Sequence, residues 1–430
     1  MTVATAGQGA YDGIRQRALR RIERDRLDPA DDLDRVRLVV LDCVEEYQRL
    51  AHLGQSTSLR DPADMAQRVL RSITAFGPLT ELFARPDVEE VFIEGSRVTY
   101  LDRAGRLQAL AVPTTEEENR GVVDRLLSTT QRHLDAGSPL VQARVLQGQA
   151  RLTAAIPPVA DALSATIRRH TLRRDTLASL VEKDSLTPAA AGFLWAVMQT
   201  PASLLVSGPP GAGKTSLLSA LLAAVPGNRC IRCCEEIREL WVPITHGSFY
   251  EARPPGMDGA TEVSLRHLVK FVLAMRPDHI VVGEVRGAEA FELTRAVNAG
   301  CGFACTVHAN SARQALEAIV NAAIMAGENV SEPIVRKVFA SAVDLVVHCD
   351  LEDTGQRGDE PGIRRQVTEV LAIVPSLHDD FSTEPLFARA ALGRPLEWTG
   401  ILPPETDVVD RALPRGITVR ALLEGRAVVV

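Results

Sequence analysis

The sequence predicts an α/β fold, a mainly parallel sheet with helices on both faces, preceded by a smaller α+β domain and an N-terminal helical extension. Three observations carry this. In the second half, apolar runs ("SLLVSG", "CIRCCEE", "HIVVGE", "FACTVH") alternate with helical stretches, the pattern of βαβ crossovers. Ahead of them, short alternating runs are broken by turns, as in strands and hairpins. Near the start, apolar residues recur at helical spacing.

Residues 1–62 form the helical extension. Leu33, Val36, Val40, Val44, Tyr47 and Leu50 make the stripe of an amphipathic helix, and "PADMAQRVLRSITAF" repeats the pattern. Packing is the simpler reading of these apolar residues. Residues 63–170 are the α+β domain: "VEEVFIEG", "RVTYLDRAGRLQALAV" and "RVLQGQARLTAAIPP" read as strands and hairpins, with one helix, "TEEENRGVVDRLLSTT", among them. Residues 171–186 are a charged linker leading into a short helix, and 187–375 carry the alternating strands and helices. Beyond Val374 the chain contains prolines and is weakly periodic. This tail, 376–430, either lies over the core or serves a partner.

With 430 residues and 46% apolar content, there is material for two or three cores. A formal charge of −7 argues against a constitutive grip on nucleic acid, which needs a clustered basic surplus. The first 25 residues lack the apolar run of a signal peptide, and no window approaches the ~20 apolar residues of a membrane helix. A cytoplasmic chain with reduced thiols is therefore expected for its seven cysteines. "CIRCC" (Cys230, Cys233, Cys234) lacks a second pair at ligand spacing, which weighs against zinc.

"GPPGAGKT", with Gly208, Gly213, Lys214 and Thr215, satisfies G-x-x-x-x-G-K-[ST] between a strand and a helix. Glycines permit the turns that point backbone N–H groups at phosphates, and the helix adds its positive end. The amides from Gly211 through Ala212, Gly213 and Ser216 form the nest, because Pro209 and Pro210 each lack a donor. In an ATP site Lys214 reaches the β- and γ-phosphates and Thr215 supplies a hydroxyl to Mg²⁺.

Hydrolysis also needs groups that orient water and stabilise charge. Glu284 ends the strand "HIVVGE"; Gly283 stands where this second motif usually has Asp, so Glu284 meets the metal through water. Glu235 and Glu236 end the preceding strand. Taken singly, each glutamate fits a strand-end surface residue equally well. His308 ends "FACTVH", and a lone histidine is more often a packed or surface group than a catalyst. Three strands ending in polar groups on one sheet edge favour a site, since ligands of open α/β sheets lie at the strands' carboxyl ends.

These residues resemble a family. "RPDHIVVGEVRGAEAFELTRAVNAGCGFACTVHANSARQALEAI" is similar to the Walker B and histidine boxes of the type II and type IV secretion ATPases, most of all the subgroup that serves Tad, or Flp, pilus assembly and conjugal-transfer-type systems. The likeness runs from about Ala63 to Gly400 and includes "FGPLTELFARPDVEEVFIEGSRVTYLDRAGRL", "SATIRRH" and "LEWTG". It implies a RecA-like P-loop NTPase core and a homo-hexamer that binds ATP and Mg²⁺ between two domains moved by hydrolysis. It also implies a partner, an inner-membrane platform protein, holding the ATPase at the inner face of the membrane. By motif, Gly208 to Thr215 is the Walker A loop, Glu235 positions the attacking water, Glu284 is the Walker B glutamate and His308 the histidine-box residue. Arg266, Arg151 and Arg168 match phosphate-facing arginines, though each equally suits a structural ion pair. The two loop prolines and Glu236, where the family commonly has Asp, depart from the pattern.

Three functions compete at this stage. One is a motor for pilin or pseudopilin assembly or export, the reading these boxes favour together. The others are a motor acting near DNA and a nucleotide-binding scaffold with little turnover.

Overall fold

The computed structural model describes residues 3–29, 31–102, 106–130, 132–169, 175–253, 261–327, 329–353, 363–374, 380–391, 393–404 and 406–427. The chain divides into two compact units, Met1–His170 and Thr171–Val430. The expected boundary and the first linker residues, 170–174, lie outside the described residues.

In the first unit, helices α1 (Val3–Arg24), α2 (Leu33–His52) and α3 (Pro62–Thr74) pack through Tyr11, Ile14, Ala18, Val36, Val40, Cys43, Val69 and Ile73. The first of these helices escaped the sequence reading, although Tyr11, Ile14, Ala18 and Ile22 recur every three or four residues. Asp61 starts α3 by accepting the N–H groups of Ala63 and Asp64, both at 3.0 Å. A short helix α4 (Thr80–Ala84) follows.

The sheet of this unit has six antiparallel strands: β1 (Val88–Glu94), β2 (Arg97–Asp102), β3 (Leu107–Ala109), β4 (Leu140–Val145), β5 (Ala150–Ala155) and β6 (Ser164–Arg169). They lie in the order β3-β2-β1-β6-β5-β4. Helix α5 (Glu116–Ser128) opens with a reciprocal Thr115/Glu118 capping box and buries Val122, Val123, Leu126 and Leu127 with the sheet's apolar face.

In the second unit, α6 (Leu177–Glu182) and α7 (Pro188–Val197) precede a nine-stranded sheet. Its strands are β7 (Leu204–Gly208), β8 (Ile231–Glu235), β9 (Gly247–Glu251), β10 (His279–Val285), β11 (Gly302–His308), β12 (Leu345–Asp353), β13 (Ile363–Val374), β14 (Ser382–Arg389) and β15 (Leu396–Trp398). The order is β15-β14-β13-β12-β7-β11-β10-β8-β9. From β9 to β12 the pairing is parallel; β13, β14 and β15 add on antiparallel.

Helices cover both faces. α8 (Lys214–Ala223) and α7 lie over Leu204, Val206, Cys233 and Val281. On the opposite face α9 (Leu265–Leu273), α10 (Glu289–Asn298), α11 (Ala312–Ile324) and α12 (Glu332–Ala342) cover Leu205, Cys234, Ile280, Val282, Phe303 and Cys305. Burial on both sides explains why these strands read as continuous apolar runs. Of the clustered cysteines, Cys233 and Cys234 face opposite cores.

Of the two readings of the stretch after Val374, its described residues favour packing onto this unit. Two of its segments are β14 and β15, and α13 (Thr406–Ala412) and α14 (Val419–Leu423) follow. Leu422 of α14 packs where a Cβ on Gly192 of α7 would come within 3.3 Å of it, a close approach that glycine permits. Among the described residues, no helix is long and apolar enough to cross a membrane.

Candidate nucleotide site

The glycine-rich loop leaves β7 in the middle of the sheet. Gly208 (φ +152°), Gly211 (φ +78°) and Gly213 (φ +91°) all adopt conformations that side chains rarely take. At Gly208 the demand is also steric, since a Cβ there would stand 2.2 Å from the Cys349 carbonyl oxygen of β12. Gly213 ends the loop, Lys214 begins α8, and Thr215 and Ser216 occupy its first turn. The loop closes with the Ala212 N–H on the Pro209 carbonyl at 3.3 Å. Lys214 Nζ donates to the Gly208 and Pro209 carbonyls, each at 3.0 Å, so the ammonium is held at the loop's rim.

Adjacent strands bring the other groups. Gly208 pairs with His308 in the β7/β11 ladder, and β10 and β8 come next. His308 Nδ1 lies 3.2 Å from Lys214 Nζ, and its Nε2 meets Glu284 Oε1. The second oxygen of Glu284 accepts from Arg286 Nη2 at 2.6 Å. Lys214, His308, Glu284 and Arg286 thus form one continuous chain of polar contacts. Burial, then the charge of Lys214, hold the His308 pKa below its usual range.

Glu235 is the buried acid of the site. Its Oε1 accepts the backbone N–H groups of Glu239 (2.9 Å) and Leu240 (3.0 Å), while Oε2 is buried without a hydrogen-bond partner. Burial pushes its pKa up to about 7 against the opposing pull of those two amides. A carboxyl that titrates near neutrality is suited to receive a proton from water. Glu236, the next residue, is exposed.

The arginines are placed differently. Arg266 binds Glu292 Oε1 at 3.0 Å and the Ala326 carbonyl at 3.3 Å. Arg151 and Arg168 belong to the first unit, where they are direct partners across β5 and β6. There Arg168 pairs with Glu90 at 3.4 Å and Arg151 donates to Gln142 at 3.0 Å. Sequence reasoning missed Arg286 and Arg365. The first stands two residues beyond Glu284, a position that should have drawn notice. Arg365 of β13, whose Nε donates to the Gly211 carbonyl at 2.9 Å, lies too far along the chain to be linked to the loop by spacing.

These residues fit a magnesium nucleotide. The three positive-φ glycines leave the backbone open where phosphates would lie, and Lys214 is within side-chain reach of the rim. Mg²⁺ keeps several waters and takes few protein ligands, so the Thr215 hydroxyl, with Glu284 acting through water, would be enough to hold it.

Comparison with known proteins agrees with this geometry. The model of the type II/IV secretion system protein family matches residues 75–365. A Mycobacterium tuberculosis (strain H37Rv) protein named for conjugal transfer is 32% identical over 324 residues, covering 73% of this chain and 91% of its own. The type IV secretion system protein VirB11 of Brucella suis is 26% identical over 328 residues, 68% of this chain and 88% of the relative. Among solved structures, the pilus retraction motor PilT with bound ADP aligns over 68% of this chain and 82% of its own, with a TM-score of 0.51 and 18% identity, a likeness of fold. Since the family model matches residues 75–365, more than half of the chain and a span that includes the loop, both acidic strand ends and His308, this chain belongs to the type II/IV secretion system protein family.

Proposed function

We propose that the chain is an ATP-hydrolysing motor of a type II/type IV secretion or pilus-assembly system, of the Tad/Flp kind, that drives pilin or pseudopilin assembly or protein export. The observation that carries this is the side-by-side order β7, β11, β10, β8. It sets the phosphate loop, His308, Glu284 and Glu235 along one sheet edge.

On this reading Gly208, Gly211, Ala212, Gly213, Lys214, Thr215 and Ser216 hold the triphosphate. Bound Mg²⁺ supplies charge neutralisation on the β- and γ-phosphates. Glu235 orients the attacking water and takes its proton. Glu284 and Thr215 face the metal, and His308 links Glu284 to Lys214, so loss of the γ-phosphoryl is felt at both. Arg151, Arg168 and Arg266 act on phosphates in an assembled homo-hexamer. The motor works in the cytoplasm, held at the inner face of the membrane by an inner-membrane platform protein. ATP turnover by the purified chain tests this: Lys214→Ala and Glu284→Gln should each abolish it while leaving the chain folded, and unaffected turnover in either variant rejects the reading.

Relatives named for conjugal transfer favour a second reading, a motor in a DNA-transfer machine. The formal charge of −7 opposes direct DNA contact. A gel-shift titration across salt separates the two, since DNA contact through phosphates weakens steeply with salt.

A further inference from the structure

Position 283 carries glycine where the second nucleotide motif usually places an aspartate, and the neighbouring strand supplies a reason. A Cβ on Gly283 would stand 2.8 Å from Glu235 Cγ, 3.2 Å from its Oε1 and 3.4 Å from its Cδ. The space a side chain at 283 needs is already taken by the side chain at 235. Backbone conformation does not call for glycine here, because Gly283 is absent from the residues with positive φ.

Both partners are fixed. Val282 pairs with Cys234, so Gly283 and Glu235 are the next residues along adjacent parallel strands. On the other side, Thr306 Oγ1 donates to the Gly283 carbonyl at 2.6 Å, and the β10/β11 ladder shifts register between Val282 and Val285. Glu235 has little freedom to retreat, with Oε1 tied to the Glu239 and Leu240 amides. Its buried Oε2 has no hydrogen-bond partner, leaving one acceptor unused by the fold.

We propose that Gly283 is a positioning residue whose missing side chain forms the seat of the Glu235 carboxylate, so that β8 delivers the acidic group that residue 283 would otherwise deliver from β10. This rests on the reading of Glu235 as the group that acts on water. It accounts for the glycine at 283: the acid absent from β10 is supplied, one methylene longer, from the strand beside it. A methyl group at 283 cannot be met by a small adjustment, because Glu235 Cγ lies near the fixed backbone end of its side chain.

The test is steady-state ATP turnover of Gly283→Ala, Glu235→Gln and the double variant, with unfolding midpoints as a check on folding. Gly283→Ala should lower kcat by about tenfold or more and leave KM for ATP within about threefold. The double variant should match Glu235→Gln within about twofold, since both changes act through one carboxylate. Wild-type kcat in Gly283→Ala, or losses that multiply in the double variant, overturns the seat. Wild-type turnover in Glu235→Gln also overturns it, but through the role of Glu235 rather than its placement. Should Gly283→Ala fail to fold, Glu235→Ala in the same chain removes Cγ, the atom a methyl group at 283 would meet. Recovered folding then supports the seat, and a double variant still unfolded overturns it.

Discussion

Nδ1 of His308 lies 3.2 Å from the Lys214 ammonium. An ammonium has only protons to offer, so Nδ1 presents its lone pair and the ring proton sits on Nε2, facing Glu284. The tautomer is thus assigned by its neighbours. The depressed pKa of His308 keeps the ring neutral at pH 7. Nitrogen NMR of the nucleotide-free chain should show a neutral Nε2–H imidazole at pH 7, and an imidazolium there would contradict the assignment. His308→Ala should lower kcat by about a hundredfold or more, the scale of a lost proton-relaying group.

Glu235 makes stability depend on pH. Its folded pKa, about 7, lies above its ordinary value of 4.5 because burial disfavours the charge. The contribution of the neutral carboxyl is therefore complete below about pH 4.5 and is lost as pH rises through 7. Ionised Glu235 costs the nucleotide-free fold on the order of 3 kcal/mol. Glu235→Gln should match the wild-type unfolding midpoint near pH 5 and exceed it at pH 8. A pH-independent difference between the two would show that burial does not set this pKa.

What could be read from sequence divides along physical lines. β7, β8, β10 and β11 announced themselves because burial on both faces demands apolar runs, and Glu235, Glu284 and His308 stand at or next to the ends of three of them. The spacing of Tyr11, Ile14, Ala18 and Ile22 marks helix α1, although arginines and other polar residues fill most of the positions between them. β15 hid because it is a three-residue edge strand, which needs little apolar content, and β14 because Pro385 interrupts its pattern. Gly283 and Glu235 lie 48 positions apart, so their shared volume exists only after β8 and β10 pair. Arg365 reaches Gly211 for the same reason, across strand order rather than along the chain.

Arg266 separates a structural role from a role at phosphate. Its partner Glu292 is buried at the carboxylate and keeps one other cation, Arg295, at 3.3 Å. Removing the closer guanidinium leaves that charge poorly compensated, though Arg266 itself is partly exposed, which weakens the pair. Arg266→Gln should lower stability by about 1–2 kcal/mol, less than for a fully buried pair. Calorimetry and turnover measured together read both roles: an unchanged midpoint with reduced turnover would place the function of Arg266 at phosphate instead.

The two prolines of the loop can be weighed by what each backbone group does. Pro209 keeps its carbonyl, which accepts both the Ala212 N–H and Lys214 Nζ. Replacing it with glycine retains these acceptors and restores an N–H ahead of the nest formed from Gly211 onward. The principal loss is rigidity: proline limits the unfolded chain, and each removal costs about 0.4–1 kcal/mol where the native backbone suits it. Pro209→Gly with Pro210→Thr should therefore lower the unfolding midpoint modestly. KM for ATP should stay within about threefold, because the added donors precede the phosphate-facing amides. Turnover should not fall, since neither ring carries a group used in the contacts of Lys214, Glu284 or His308. A tenfold change in KM would instead mean that the nest extends back to residue 209 and that the prolines weaken the grip on the nucleotide.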